Sequence, residues 1–162
     1  MTTGRRVLVI GGLALAALGM LYGLHYAIFV EHQTLDQMGG SLAQAFLNAA
    51  QRNLPDAHQA IEAYASTKYD YVRQVDIHSH WIGLAMLLIV LGAVFDQVAF
   101  SPRARTWIAV ALLAGSFFFP LGVILQTLSH GAAWASALAI LGSATVTLAL
   151  GAVVWGFARS SA

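Results

Sequence analysis

Six histidines carry most of the chemistry open to this chain: His25, His32, His58, His78, His80 and His130. A neutral imidazole binds metals through either ring nitrogen, so where each ring stands decides what it is for. His25 lies inside an apolar run that ends at Val30. It is about five residues from that end, roughly 8 Å below an interface at 1.5 Å per residue. An ionisable group at such a depth is expensive and marks a candidate site. His32 comes one heptad later and faces the same way if the helix continues, with Phe29 between them. Asp76 and His80 stand at i and i+4 on one helical face, so the carboxylate can orient the imidazole or ligate a metal itself. His78 and His80 point in different directions on a regular helix, and one of the pair is expected at any single centre. His130 closes a further apolar run, with Gln126 one turn deeper on the same face. His58 sits in a polar stretch and reads as a surface residue.

The elements that hold these residues are membrane spans. A bilayer crossing needs about 20 apolar residues in a helix. Four runs meet that length, at about 7–30, 78–100, 106–129 and 132–158. Trp81, Trp107, Trp134 and Trp155 fall near span ends, where amphipathic rings favour the interface. Arg5-Arg6 ahead of an apolar run also suits a signal peptide, and Ala14-Leu15-Ala16 offers a small-residue cleavage pattern. The run continues to Val30, too long for a signal core, and is read as a retained helix. The expected fold is all-α: one polytopic membrane domain over 1–162, four transmembrane helices in an antiparallel bundle.

Charge sets the orientation. Arg5, Arg6, Arg103, Arg105 and Arg159 share one side with only Asp96. The other side carries Arg52, Lys68 and Arg73 against Glu31, Asp36, Asp56, Glu62, Asp70 and Asp76. Basic excess belongs in the cytoplasm, so both termini are expected inside a bacterial-type inner membrane and the 31–80 segment outside, in the periplasm. All six histidines then fall in the outer half. The outer segment, about 33–76, is expected to form a helical hairpin. Leu42, Ala45, Phe46 and Ala49 recur at helical spacing, as do Ala57, Ile61, Tyr64, Lys68, Val72 and Val75. Asn53-Leu54-Pro55 separates the two runs, and proline suits a first helical turn. The first span is expected to continue outward past Val30 and bend at Gly39-Gly40. The helix after Pro55 is expected to feed directly into the second span.

Small residues imply close packing: Gly19 and Gly23 in the first span, and Gly142, Thr145, Ala149, Ala152 and Gly156 on one face of the fourth. Pro120 removes a helical hydrogen bond and frees the carbonyl of Ser116.

Composition excludes several classes. The chain is 59% hydrophobic and 9% charged, against about 25% charged in a soluble domain, which excludes a cytosolic enzyme and a disordered chain. Eight basic residues against seven acidic ones leave no footprint for nucleic acid. The sequence has no cysteine, hence no disulfide, thiolate zinc site, iron–sulfur cluster or thioether-attached haem. Apart from the histidines and Gln126 the spans offer almost no polar lining for a transport path. Ser79-His80 and Ser129-His130 are neighbours in sequence, which is not a nucleophile–base geometry.

Haem b fits the remaining pattern first, because imidazoles on facing helices hold iron without cysteine. The candidate ligands are His25, His80 and His130, with His32 and His78 as substitutes. Tyr22, Tyr26, Phe29, Trp81 and Trp134 would supply aromatic walls, Gly83 and Gly131 close approach, and Arg73 and Lys68 partners for propionates. Copper or zinc held by His25, His80, His130 and Asp76 is the alternative. A carboxylate-bridged di-iron site lacks its paired Glu-x-x-His signature. The stretch HSHWIGLAMLLIVLG, with His78, His80, Gly83 and Gly92, resembles the HxH-plus-glycine helix of small membrane b-type cytochromes and of haem–copper oxidase subunit I relatives. The resemblance covers that one stretch and implies that one histidine of the pair is an axial ligand. This chain has four spans rather than a dozen and no full haem–copper ligand set, so the likeness does not extend to oxygen or nitric oxide reduction.

The expectation is an electron-transfer subunit, and any catalysis is that of an oxidoreductase subunit. It would sit in the lipid bilayer within a larger membrane complex or a homo-oligomer, exchanging electrons with quinol or a periplasmic carrier. A non-catalytic accessory subunit and a copper- or zinc-binding membrane protein stay open beside it.

Overall fold

A computed structural model describes residues 1–129 and 131–160. Its elements are α1 (Thr3–Phe29), α2 (Glu31–Ala50), α3 (Leu54–Val94), α4 (Pro102–Leu128) and α5 (Ala133–Ser160), with a short 3-10 turn at Phe95–Gln97 between α3 and α4. No strand occurs among the described residues. α1, α3 with its 3-10 turn, α4 and α5 are each long and apolar enough to cross a membrane. The chain is an all-α, multi-pass membrane protein.

The chain divides into two compact units, one of Met1–Met20 with Ile77–Ala162 and one of Leu21–Asp76. The first is held by close helix contacts. α4 and α5 run antiparallel, and the buried residues of α5 are Ala135, Ala139, Gly142, Val146, Ala149, Val153 and Gly156. Steps of four and three make the seam of a left-handed helix pair. Gly142, Ala149 and Gly156 of the anticipated small-residue face lie on this seam, while Thr145 and Ala152 flank it. A Cβ on Gly122 would stand 2.5 Å from the backbone nitrogen of Ala139, and one on Gly142 2.5 Å from that of Phe119. Side chains are excluded there so that the backbones can touch, the usual source of helix affinity in lipid.

α1 packs antiparallel on α3 in the same manner. Cβ atoms on Gly12 and Gly19 would meet the Ala85 carbonyl at 3.0 Å and Trp81 at 3.1 Å. α4 opens on a well-formed cap: Ser101 Oγ accepts from the Ala104 amide at 3.3 Å, and Pro102 occupies the first turn. α4 continues through buried Pro120.

The second unit holds the end of α1, all of α2 and the first turns of α3. Helix is interrupted at Val30 (φ −125°), and α2 passes unbroken through Gly39-Gly40. The anticipated bend therefore sits about nine residues earlier than the glycines suggest. Mid-helix glycine costs only about 1 kcal/mol against alanine, and the surrounding turns hold it. Hydrogen bonding persists across the interruption, from the Val30 amide to Tyr26 and from the Thr34 amide and hydroxyl to Val30. The α2–α3 turn lies at the Asn53-Leu54-Pro55 break. Arg52 takes a left-handed φ of 58°, and Asn53 Nδ2 donates to Asp56 Oδ2 at 2.7 Å. As expected, α3 then runs without a break from the outer helix into the second span, 41 residues in all.

Candidate functional site

The histidines separate by environment. His78, on α3, is half-buried in the first unit, and its Nδ1 lies 2.8 Å from the carbonyl oxygen of Gly19 on α1. A carbonyl only accepts, so Nδ1 carries the proton, and in the neutral ring the lone pair is then on Nε2. Backbone carbonyls fix metal-ligating imidazoles in the same way. His80 turns to a different neighbour: its ring meets the Phe119 ring edge-on at 4.8 Å. The expectation that the two rings diverge holds. An open groove of about 280 Å³ runs beside His80, lined by Ser79, Gly83 and Leu84, and a Cβ on Gly83 would touch nothing within 4 Å.

In the second unit His25 is exposed on α1 beside the Phe29 ring, 5.3 Å away. His32 is exposed in the first turn of α2. The interruption at Val30 puts the two on separate helices, so the shared direction expected of one continuous helix no longer follows. Asp76 is half-buried on α3. His58 is a surface residue, its Nε2 3.4 Å from Glu62 Oε1. His130 lies outside the described residues. Among those described, no group of three or more histidine or carboxylate side chains gathers closely enough to hold a metal ion.

The proposed walls and propionate partners divide likewise. Trp81 and Tyr26 are buried, whereas Phe29 and Trp134 are exposed. Arg73 donates to the Tyr69 hydroxyl at 2.6 and 3.0 Å and lies over its ring. Lys68 stands 5.9 Å from the Tyr64 ring centre.

Three features escape the histidine pattern. Tyr22 donates to Gln74 Oε1 within the second unit. In the same unit an amide-lined groove of about 450 Å³ is bordered by Ser41, Gln44, Asn48, Asp56 and Gln59. Gln44 and Asn48 are hydrogen-bonded at i and i+4 (3.2 Å), a spacing visible in the sequence. Third, Arg5 and Arg105, read from sequence only as topology signals, converge on Asp96 in the first unit.

Fold and histidine placement define a class, the small all-α multi-pass membrane protein with imidazole side chains on several of its helices. Comparison with protein-family models, curated proteins and solved structures finds no match to this chain.

Proposed function

We propose that the chain is the membrane subunit of an electron-transfer assembly, holding haem b by histidine near the outer face. In this reading it lies in a bacterial-type inner membrane with cytoplasmic termini. The observation that carries the reading is the hydrogen bond from His78 Nδ1 to Gly19, which leaves Nε2 as a ligand of fixed tautomer. The donor set favours haem over a bare metal. Haem iron needs one or two axial imidazoles, whereas a closed copper or zinc site needs three or four protein donors. His78 would be the ligand, with His80, beside its open groove, as the alternative. Bound haem would supply one-electron chemistry; the chain would supply the ligand and a low-dielectric surround, exchanging electrons with quinol or a periplasmic carrier. The test is an absorption spectrum and iron analysis of protein purified in mild detergent. A Soret band lost in His78→Ala is the expected result. A wild-type sample with neither Soret band nor iron overturns the reading.

A second reading is favoured by His25. Ionisable residues within spans normally face protein or a water-filled cavity, yet His25 points away from its own helix packing. An accessory subunit whose larger partner covers that face accounts for this without any cofactor. It predicts that His25→Ala lowers co-purification of the partner while metal content stays at background.

A further inference from the structure

We propose that the arginine-bearing ends of α1 and α4 form a binding site for one anionic phospholipid, its phosphate on Arg5 and Arg105 and an acyl chain in the groove between the two helices. The charges come first. Arg5 Nη1 lies 3.6 Å from Asp96 Oδ2, and Arg105 Nη1 donates to the Asp96 carbonyl at 2.8 Å. Thr2 Oγ donates to the other carboxylate oxygen at 2.5 Å. Arg6 and Arg103, both exposed, add two further charges to the same first turns. Four arginines thus stand at these two helix ends, and of them only Arg5 pairs with the Asp96 carboxylate. The Nε atoms of both Arg5 and Arg105 are buried and have no acceptor among the described residues. Those two atoms face protein, so a phosphate meets the parts of the side chains left accessible, 40% for Arg5, where its oxygens match the guanidinium fork.

The groove is the independent second feature. Gly4 sits against the backbone of Arg105, where a Cβ would stand 3.2 Å from its carbonyl oxygen, so α1 and α4 touch at the charged end. Deeper in, Gly11, Ala14, Leu18, Val110, Ala114 and Phe117 line an apolar hollow of about 420 Å³. At 1.5 Å per residue it runs from about 9 to 20 Å below Arg5. That reaches the midplane of a hydrocarbon core about 30 Å thick. Headgroup charge above and an apolar trough descending one leaflet match one lipid, and basic pockets between transmembrane helices bind anionic headgroups elsewhere.

The experiment purifies the full chain from vesicles containing equal phosphatidylglycerol and phosphatidylcholine, and measures retained lipid by mass spectrometry. Phosphatidylglycerol should be enriched about tenfold, and Arg5→Gln/Arg105→Gln should return the ratio to that of the bulk lipid. If that variant does not fold, Arg6→Gln/Arg103→Gln, at exposed positions, should lower the enrichment several-fold. Ala114→Phe should reduce retention by filling the trough. Equal retention of both lipids by folded wild-type protein overturns the proposal. So does displacement by soluble glycerol phosphate as effective as by whole lipid, which would mark a free-phosphate site.

Discussion

His78 donates through Nδ1 to the backbone carbonyl of Gly19, 2.8 Å away, so a candidate ligand also joins α3 to α1. His78→Phe should lose that hydrogen bond and about 0.5–1.5 kcal/mol of stability. His25→Phe should cost almost nothing, because the His25 ring is exposed and lies against only its neighbour Phe29. Unfolding midpoints of the two variants in one detergent check this. Equal midpoints would show that the Gly19 contact adds nothing to the packing of α1 on α3.

The α4–α5 contact gives a sharper contrast between glycines. Gly142→Val places side-chain atoms against the Phe119 backbone, which has no flexible end to move aside. Overpacking of this kind costs about 1–3 kcal/mol. Gly151, on the same helix, borders open space, and a Cβ there would meet nothing within 4 Å. Gly151→Ala should therefore stabilise α5 by up to about 1 kcal/mol through helix propensity. Thermal unfolding of both variants should move in opposite directions.

These contrasts show which parts of the molecule were legible in the sequence. Span lengths, the small-residue face of α5 and the turn at Asn53-Leu54-Pro55 follow from hydropathy and backbone chemistry, which act locally. So does the divergence of His78 and His80, fixed by helical periodicity. The Val30 interruption did not follow, because the Gly39-Gly40 pair is the stronger local signal, yet the helical turns on either side carry α2 through it at exposed positions. Nor was the outward direction of His25 legible: α1 buries Leu8, Leu15 and Tyr26, and the helix phase set by that stripe turns His25 away. The partner of His78 is a backbone carbonyl, which carries no residue-type signal at all. The convergence of Arg5 and Arg105 on Asp96 depends on three separate elements, so positive-inside counting registers the charges without their meeting.

The Asp96 cluster should contribute little to stability by itself. The Arg5–Asp96 pair is substantially exposed, with side chains 40% and 37% accessible. Exposed ion pairs are worth about 0–1 kcal/mol and are screened by salt. Asp96→Asn should therefore shift the unfolding midpoint only slightly, with the difference from wild type shrinking as ionic strength rises. A large, salt-independent loss would mean that the Thr2 and Arg105 contacts act as one buried network.

Ser116 sits at the opposite extreme. It is fully buried on α4, and its Oγ has no hydrogen-bond partner among the described residues. Leaving a buried polar group unmet costs about 1–3 kcal/mol, more than the small packing loss from removing one oxygen atom. Ser116→Ala should therefore raise the unfolding midpoint, an uncommon sign for truncation at a fully buried position. Ser116→Val also removes the hydroxyl but adds bulk beside Gly115, where a Cβ would already come within 2.8 Å of the Gly142 carbonyl. It should lower the midpoint relative to Ser116→Ala. A fall in both variants would show that the hydroxyl is satisfied inside the folded bundle, and comparison of their unfolding curves separates that outcome from simple overpacking.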